Sequence, residues 1–328
     1  GAGRNAADLG ARRSSDHAVT TFPEGPIPTS AGRLYRINHR TTYRYSDVVT
    51  SSYGRGFLTP RDSGRQRCLS NQLLIDPEPA DSSTSRDAYG NISSYFHVTE
   101  RHRALTVISD AVVEVDPPLP DLYGAGAALA PWEAARPAGI DGALAAEFAL
   151  DLQPPEIDSS VKDYAAPSFA PGRPLIEVIR DLNARIFSDF TYRSGSTTVS
   201  TRVGAVLKAR EGVCQDFARL AIACLRAEGL AASYVSGYLA TDPPPGKDRV
   251  FGADATHAWA SVWTPENRWL GLDPTNDQLI DERYITVGWG RDYADVPPLR
   301  GIIYTDSEYS VIDVSVDVAP FDPDASGA

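Results

Sequence analysis

The stretch "AREGVCQDFARLAIACLRAEGL" places a cysteine, Cys214, at the start of a predicted helix. Apolar residues recur after it at helical spacing, so the helix is predicted to begin near Gly212 or Val213. The first turn of a helix has unpaired N–H groups and the positive end of the helix dipole, and both favour a thiolate. Cys214 is therefore a candidate nucleophile, although a half-buried cysteine is more often structural.

A cysteine nucleophile needs a base, and the base is usually oriented by a third group. Of the five histidines, only His257 shares the second half of the sequence with Cys214. His257 opens the predicted strand "HAWASVWT", and Asp273 closes the predicted strand "RWLGLDPT". A hairpin centred at residue 265 would set Asp273 directly opposite His257, where the carboxylate can accept the imidazole N–H. Together these residues predict a catalytic triad, whereas each alone has an ordinary structural explanation.

The elements that would position the triad lie in the second half of the chain. An amphipathic helix is predicted in "PLIEVIRDLNARIFSDF", and the hydroxyl-rich stretch "FTYRSGSTTVST" leads from it to the Cys214 helix. Strands follow the helices. This order predicts an α+β core with an antiparallel sheet over residues 171–290, after a Pro- and Gly-rich connector at 119–170.

The first third of the chain predicts an antiparallel β domain at residues 33–118. Apolar and polar residues alternate in "LYRINHRTTYRY", and "RDAYGNISSYFHV" contains a hairpin turn signal. We expect residues 1–32 to form a disordered leader. We expect residues 291–328 to form a C-terminal segment with a strand that packs back on the chain. The loop "DPPPGKD", which precedes His257, is either a mobile rim of a cleft or a surface loop.

Composition and charge narrow the functional classes. The chain has 328 residues, 42% of them hydrophobic, which is enough for two domains with their own cores. Its formal net charge of −12 argues against a nucleic-acid or membrane partner. The odd cysteine count (Cys68, Cys214 and Cys224) disfavours a disulfide framework and predicts a cytoplasmic protein. Since the sequence has no metal-type Cys or His spacing, we expect no metal and no cofactor.

Three segments resemble the bacterial transglutaminase-like proteins of the papain-like cysteine-enzyme superfamily: "GVCQDFARLAIACLRAEGLAASYVSGYL", "DATHAWASVW" and "WLGLDPTND". They occur in the order and at the spacing of that family, and "DERYITVGWGRDYADVPPLRG" resembles the segment that usually follows. The stretches "YGRGFLTPR" and "DAYGN" resemble the β domain that precedes the core in the bacterial branch. The resemblance implies a papain-like/transglutaminase-like core, in which helices pack on an antiparallel sheet. An antiparallel β domain precedes this core in the chain.

The resemblance also implies roles for single residues. Cys214 corresponds to the family nucleophile, His257 to the base and Asp273 to the carboxylate that orients the base. Asp216 and Asn276 lie within the similar segments, and we expect structural roles for them, as a first-turn helix carboxylate and a turn residue.

In the superfamily the oxyanion is held partly by the backbone N–H of the nucleophile and partly by an upstream donor. Tyr192, in "FTYRSG", is a candidate for this donor, and its alternative role is that of a core aromatic residue.

The implied reaction is acyl transfer through a thioester on Cys214, with water or an amine as the acceptor. We expect a cysteine peptidase or amidase that acts on a peptide or protein amide. One alternative is a protein-glutamine transamidase that uses the same residues. Another is a non-catalytic binding or assembly module, which would bind a protein partner through the N-terminal β domain.

Overall fold

The computed structural model describes residues 32–119, 129–140, 142–241 and 256–321. Within them, two antiparallel sheets, one of seven strands and one of five, make up most of the β-structure. The leader expected at residues 1–32 lies outside the described residues except for Gly32, as do residues 120–128 of the connector and the loop "DPPPGKD". No helix in the described part of the chain is long and apolar enough to cross a membrane.

The seven-stranded sheet begins with the long strand β1, in which buried and exposed residues alternate. Tyr35, Ile37 and His39 face the interior, whereas Arg36 and Arg40 are exposed, as the period of two predicts. The strands of the N-terminal part are β1 (Arg33–Gly56), β2 (Gln66–Asp76), β3 (Asp81–Arg86), β4 (Ile92–Val98) and β5 (His102–Val115), in the spatial order β2-β5-β1-β4-β3. Strands β3 and β4 pair as a hairpin around the predicted turn.

In the residues that the structure describes, the core contains four α-helices and a five-stranded sheet. The helices are α1 (Ser159–Ala165), α2 (Leu175–Asp189), α3 (Val203–Ala209) and α4 (Cys214–Ala227). Short 3₁₀ turns lie at Trp132–Ala135, Ala146–Ala149, Ala166–Ser168 and Tyr293–Asp295. The strands are β8 (Ala232–Leu239), β9 (Thr256–Trp263), β10 (Trp269–Asp273), β11 (Gln278–Leu279) and β12 (Tyr284–Gly290), in the order β11-β10-β9-β8-β12. A separate parallel pair, β6 (Thr191–Tyr192) and β7 (Glu211–Gly212), precedes α4 in the chain. The observed core is thus the α+β arrangement that the sequence predicts.

The C-terminal strands belong to the N-terminal sheet. Strands β13 (Leu299–Thr305) and β14 (Ser310–Pro320) both pair antiparallel with β1, one after the other along its length. The chain therefore starts the seven-stranded sheet, builds the core and then returns to the first sheet.

The two parts of the molecule share a large hydrophobic cluster. Ile37 of β1 and Val316 of β14 belong to the same buried cluster as Leu182 of α2 and Leu220 of α4. Val161 of α1, within the stretch expected to be a connector, is also part of this cluster. Because apolar area is buried on both sides, the N-terminal sheet and the core stabilise each other.

Candidate active site

Cys214 is the first residue of helix α4, and Val213 precedes it as the N-cap residue. The cysteine is half-buried, whereas most of the helix that follows is buried in the core. The sulfur therefore lies at the N-terminal end of a helix, where the helix dipole favours a thiolate, and solvent can still reach it. The helix begins where the sequence predicts it, within two residues.

Asp216 fixes the start of this helix. Its Oδ2 atom accepts the Val213 N–H at 2.9 Å and the Thr197 hydroxyl at 2.6 Å. A Cβ atom on Gly212 would lie 2.9 Å from the Asp216 side chain, so glycine is needed at this position. Asp216 has the role of a first-turn carboxylate and also tethers the loop that contains Thr197.

The hairpin of β9 and β10 differs in register from the prediction. Trp269 pairs with Trp263 and Leu272 with Ala260, so the loop is centred at Glu266 rather than at residue 265. Asn267, in this turn, adopts a left-handed conformation with a φ of 58°. Continued from Leu272, this register sets Asp273 level with Trp259, and not with His257.

The shift does not separate His257 from Asp273. A shift of two residues keeps both side chains on the same face of the sheet, and diagonal neighbours on one face remain within reach of each other. The His257 Nε2 atom donates to Asp273 Oδ2 at 2.7 Å. The Cys214 side chain acts on the same ring and raises the pKa of His257. The structure therefore brings together the three residues that the sequence analysis selects.

Asp273 is completely buried, and several donors stabilise its charge. Besides His257, the Asn276 amide and the Tyr284 hydroxyl each donate to its Oδ2 atom at 2.7 Å. The Thr275 N–H donates to its Oδ1 atom at 2.9 Å. Asn276, expected to be only a turn residue, thus also holds the carboxylate in place.

The site favours the charged forms of His257 and Asp273. Burial lowers the pKa of His257, but hydrogen bonds to Asp273 and Cys214, and their negative charges, outweigh it and raise the pKa to about 10. Burial raises the pKa of Asp273, but hydrogen bonding to His257, its charge and the donors Asn276 and Tyr284 bring the pKa below its ordinary value of 3.8. An imidazolium next to a carboxylate is therefore the stable pair at neutral pH.

Tyr192 lies beside the start of α4. Its backbone pairs with Gly212 in the parallel ladder of β6 and β7, and the residue is 55% exposed. Burial and the charge of Cys214 both raise the pKa of Tyr192, as expected for a phenol close to the sulfur. The ring packs edge-on against Phe217. Its role as an oxyanion donor remains a prediction.

Two residues that support the site were not selected from the sequence. Tyr284 comes from β12, and its contact with Asp273 depends on how the core sheet is assembled. The Asn183 amide in α2 donates to the backbone carbonyls of Asp273 (3.0 Å) and Gln278 (3.1 Å). A polar residue within the apolar stripe of α2 was the available signal for Asn183, because buried amides are normally hydrogen-bonded.

The remaining cysteines lie apart from this chemistry. Cys68, Cys214 and Cys224 are all free. Burial raises the pKa of Cys68 to about 11, and the Asp62 charge contributes; burial raises that of Cys224 to about 12. Among the residues that the structure describes, no group of three or more His, Cys, Asp and Glu side chains could hold a metal ion.

Comparison with known proteins identifies relatives of both parts of the chain. The family model of the bacterial transglutaminase-like N-terminal region matches residues 35–114, and that of the transglutaminase-like superfamily matches residues 162–274. The uncharacterized protein Rv2569c of Mycobacterium tuberculosis is 74% identical over 303 residues, which cover 91% of this chain and 96% of that protein. A protein-glutamine gamma-glutamyltransferase of Pseudomonas aeruginosa is 37% identical over 75 residues, which cover 23% of this chain and 11% of that protein.

The fold also has a relative among solved structures. The crystal structure of a candidate cysteine protease from Cytophaga hutchinsonii aligns with a TM-score of 0.66 and 18% sequence identity. The alignment covers 89% of this chain and 94% of that one, so the fold is shared across both sheets. From the matched family models and the relative with 74% identity, we conclude that this chain belongs to the transglutaminase-like superfamily and carries its bacterial N-terminal region.

Proposed function

We propose that this protein is a cysteine hydrolase, a peptidase or amidase, that uses Cys214, His257 and Asp273 as its catalytic triad. The observation that carries the proposal is the position of the His257 ring. It donates to the buried Asp273 carboxylate at 2.7 Å, and Cys214, at the start of a helix, acts on the same ring and raises its pKa. A nucleophile, a base and a group that orients the base are what thiol-based acyl transfer requires.

The first half of the reaction forms a thioester. The Cys214 thiolate attacks the carbonyl carbon of a peptide or protein amide, and the carbonyl oxygen becomes an oxyanion. Backbone N–H groups at the start of α4, with the Tyr192 hydroxyl as a second donor, stabilise this charge. The His257 imidazolium then donates its proton to the amide nitrogen, the C–N bond breaks and the amine leaves.

The second half of the reaction releases the acyl group. Neutral His257 accepts a proton from water, and the oxygen of that water attacks the thioester carbonyl. The C–S bond breaks, which frees a carboxylic acid and returns the Cys214 thiolate next to the His257 imidazolium. Asp273 keeps the ring in place throughout and stabilises its positive charge.

A transamidase is the second candidate, and the similarity to the Pseudomonas aeruginosa protein-glutamine gamma-glutamyltransferase supports it. In that reaction neutral His257 accepts the proton of a primary amine instead of water, and the amine nitrogen attacks the thioester. Both candidates share the acylation step. They differ in which acceptor reaches the thioester of Cys214.

The experiment that tests the proposal is product analysis by mass spectrometry. The full chain is incubated with a mixture of glutamine-containing peptides, with and without an added primary amine, beside the variants Cys214→Ala and Cys224→Ala. Cys224→Ala is the matched control, because Cys224 lies on the same helix but is buried in the core. We expect products that contain one added water, or a carboxylate in place of an amide, from the wild type and from Cys224→Ala only.

Two other outcomes would contradict the hydrolase proposal. If the added amine enters the peptides in a Cys214-dependent reaction and hydrolysis is slow beside it, the protein is a transamidase. If no product depends on Cys214, the enzyme proposal fails, and the binding or assembly module of the sequence analysis becomes the better hypothesis.

A further inference from the structure

Strand β12 is an edge strand of the five-stranded sheet. Residues of the N-terminal part of the chain bind to its free edge. Gln66, at the start of β2, is 3% exposed and exchanges two hydrogen bonds with Thr286 of β12. The Gln66 Nε2 atom donates to the Thr286 carbonyl, and Gln66 Oε1 accepts the Thr286 N–H, both at 2.7 Å. One side-chain amide thus makes the bonds that a neighbouring strand would make.

A second amide repeats this arrangement further along β12. Asn91 is fully buried, donates to the Trp289 carbonyl at 2.7 Å and accepts the Trp289 N–H at 3.0 Å. The Arg61 guanidinium donates to Asn91 Oδ1 at 2.7 Å and lies 3.2 Å from the Trp289 ring centroid. Arg61 and Asn91 end the segments "YGRGFLTPR" and "DAYGN". We call Gln66 and Asn91 the amide clamp.

The strand held by the amide clamp carries a residue of the active site. Tyr284 is the first residue of β12, two positions before Thr286, and its hydroxyl donates to Asp273 Oδ2 at 2.7 Å. The Tyr284 ring packs edge-on against Trp259, with 5.3 Å between the centroids, and lies 6.0 Å from the His257 ring. A displacement of β12 would therefore move a donor away from the catalytic carboxylate.

We infer that Tyr284 is a positioning residue that acts through Asp273, and that the amide clamp of the N-terminal domain holds it in place through β12. The inference rests on the proposed function, because it assigns a role only if Asp273 orients His257. It gives the N-terminal domain a part in catalysis without any contact between that domain and the substrate.

The chemistry of Tyr284 suits this role. Burial raises the pKa of Tyr284 above its ordinary value of 10, and the Asp273 charge adds to the effect, so the hydroxyl stays protonated. The donated hydrogen bond stabilises the ionised Asp273 and lowers the pKa of its carboxyl group. Loss of the hydroxyl would make Asp273 accept a proton at a higher pH, and a neutral Asp273 no longer stabilises the imidazolium of His257.

The test is the pH dependence of Cys214 alkylation by iodoacetamide in the full chain, read by peptide mass spectrometry from pH 4 to 8. In Tyr284→Phe, we expect the acidic limb of the rate profile to shift to higher pH by about one unit. At a given pH on that limb, the rate would then fall roughly tenfold. Gln66→Ala should give a smaller shift in the same direction. In the double variant, Gln66→Ala should add little to Tyr284→Phe, because the clamp acts through Tyr284.

Two matched controls separate positioning from general loss of structure. Tyr238→Phe removes a buried hydroxyl from the neighbouring strand β8, where it contacts His39 and not Asp273. Gln72→Ala removes an exposed glutamine from β2, the strand that carries Gln66. Neither substitution should change the profile, and thermal melting identifies any variant that fails to fold.

The outcomes distinguish this inference from the proposed function. If wild-type Cys214 shows no His257-dependent reactivity near pH 6, the proposed triad fails. If the wild type is reactive but Tyr284→Phe has the wild-type profile, the triad stands and the positioning role is wrong. If the shifts of Gln66→Ala and Tyr284→Phe simply add, the clamp does not act through Tyr284.

Discussion

His257 in the candidate active site and His39 at the junction of the two sheets both have largely buried side chains, yet their charges differ. The side chain of His257 is 10% exposed and residue His39 is 3% exposed. The pKa of His39 is lowered by burial to about 4. The pKa of His257 is raised to about 10, although burial lowers it as it lowers the pKa of His39. Among the described residues, the hydrogen-bond partners of the His39 ring are neutral, namely the hydroxyls of Tyr238 (2.9 Å) and Thr41 (3.2 Å).

The comparison shows that burial alone does not set the charge of a histidine. Desolvation disfavours the imidazolium at both places, and only a negative partner can reverse the effect. At the active site Asp273 is that partner, helped by Cys214. At the junction the hydroxyl partners carry no charge, so His39 stays neutral and serves packing. The positive charge of His257 thus depends on Asp273 more than on the depth of the site.

The largest expected effect comes from removing that partner. In Asp273→Asn the carboxylate charge is lost, so the pKa of His257 falls and its behaviour approaches that of His39. We expect the iodoacetamide alkylation of Cys214 at pH 6 to slow by about a hundredfold, because an unactivated thiol with a pKa of about 8.5 is mostly protonated there. Peptide mass spectrometry measures the rate, and Cys68 and Cys224 serve as internal references.

Asp277→Asn is the matched control for this prediction. Asp277 lies shortly after Asp273 in the chain but is exposed, so its substitution should leave the rate unchanged. A Cys214 rate in Asp273→Asn equal to that of the wild type would show that the carboxylate does not determine the charge of His257.

A smaller effect is expected in stability, from His39. The unfolded chain binds a proton at this histidine below about pH 6.5, whereas the folded protein does so only near pH 4, so stability falls as the pH drops through this window. From pH 7.5 to pH 5, His39 should cost about 2 kcal/mol of the free energy of unfolding. Urea unfolding at both pH values measures this cost in the wild type and in His39→Gln.

Other groups titrate in the same range, so the prediction concerns the difference between the two proteins. The loss of stability on acidification should be about 2 kcal/mol smaller in His39→Gln than in the wild type. Equal losses in the two proteins would mean that His39 is protonated in the folded state as readily as in the unfolded chain.

The smallest effect is expected from the neutral partner of His39. Tyr238→Phe removes the hydroxyl that lies 2.9 Å from His39 Nδ1 and leaves a buried nitrogen without this bond. We expect a loss of about 1 kcal/mol in the free energy of unfolding at pH 7.5, as for one neutral hydrogen bond. Urea unfolding checks it, and an unchanged free energy would show that the contact contributes nothing to stability.

Much of the fold could be predicted from local patterns. The alternation in β1, the turn between β3 and β4 and the start of α4 each depend on residues close together in the sequence. The register of the β9–β10 hairpin could not be predicted in the same way, because the pattern of the two strands does not determine where the turn between them is centred. Asp273 and His257 still contact each other despite this difference, because a shift of two residues keeps both side chains on the same face of the sheet.

The residues that support the proposed triad differ in whether their contacts could be predicted from nearby sequence. Asn276 lies within a recognisable motif, and its position three residues after Asp273 brings its amide to the carboxylate. Tyr284 belongs to β12, which pairs with β8 and not with the strand of Asp273. Gln66 is farther still, on a strand of the other sheet. No spacing in the sequence connects Tyr284 or Gln66 with the carboxylate of Asp273.

The sequence by itself determined the candidate nucleophile, base and carboxylate, and the helix and strands that carry them, since residue types and periodicity are local properties. Only the tertiary structure decided that His257 is charged and His39 neutral. Desolvation and hydrogen bonding are sums over everything packed around a group, and the groups that contribute to them come from distant parts of the chain.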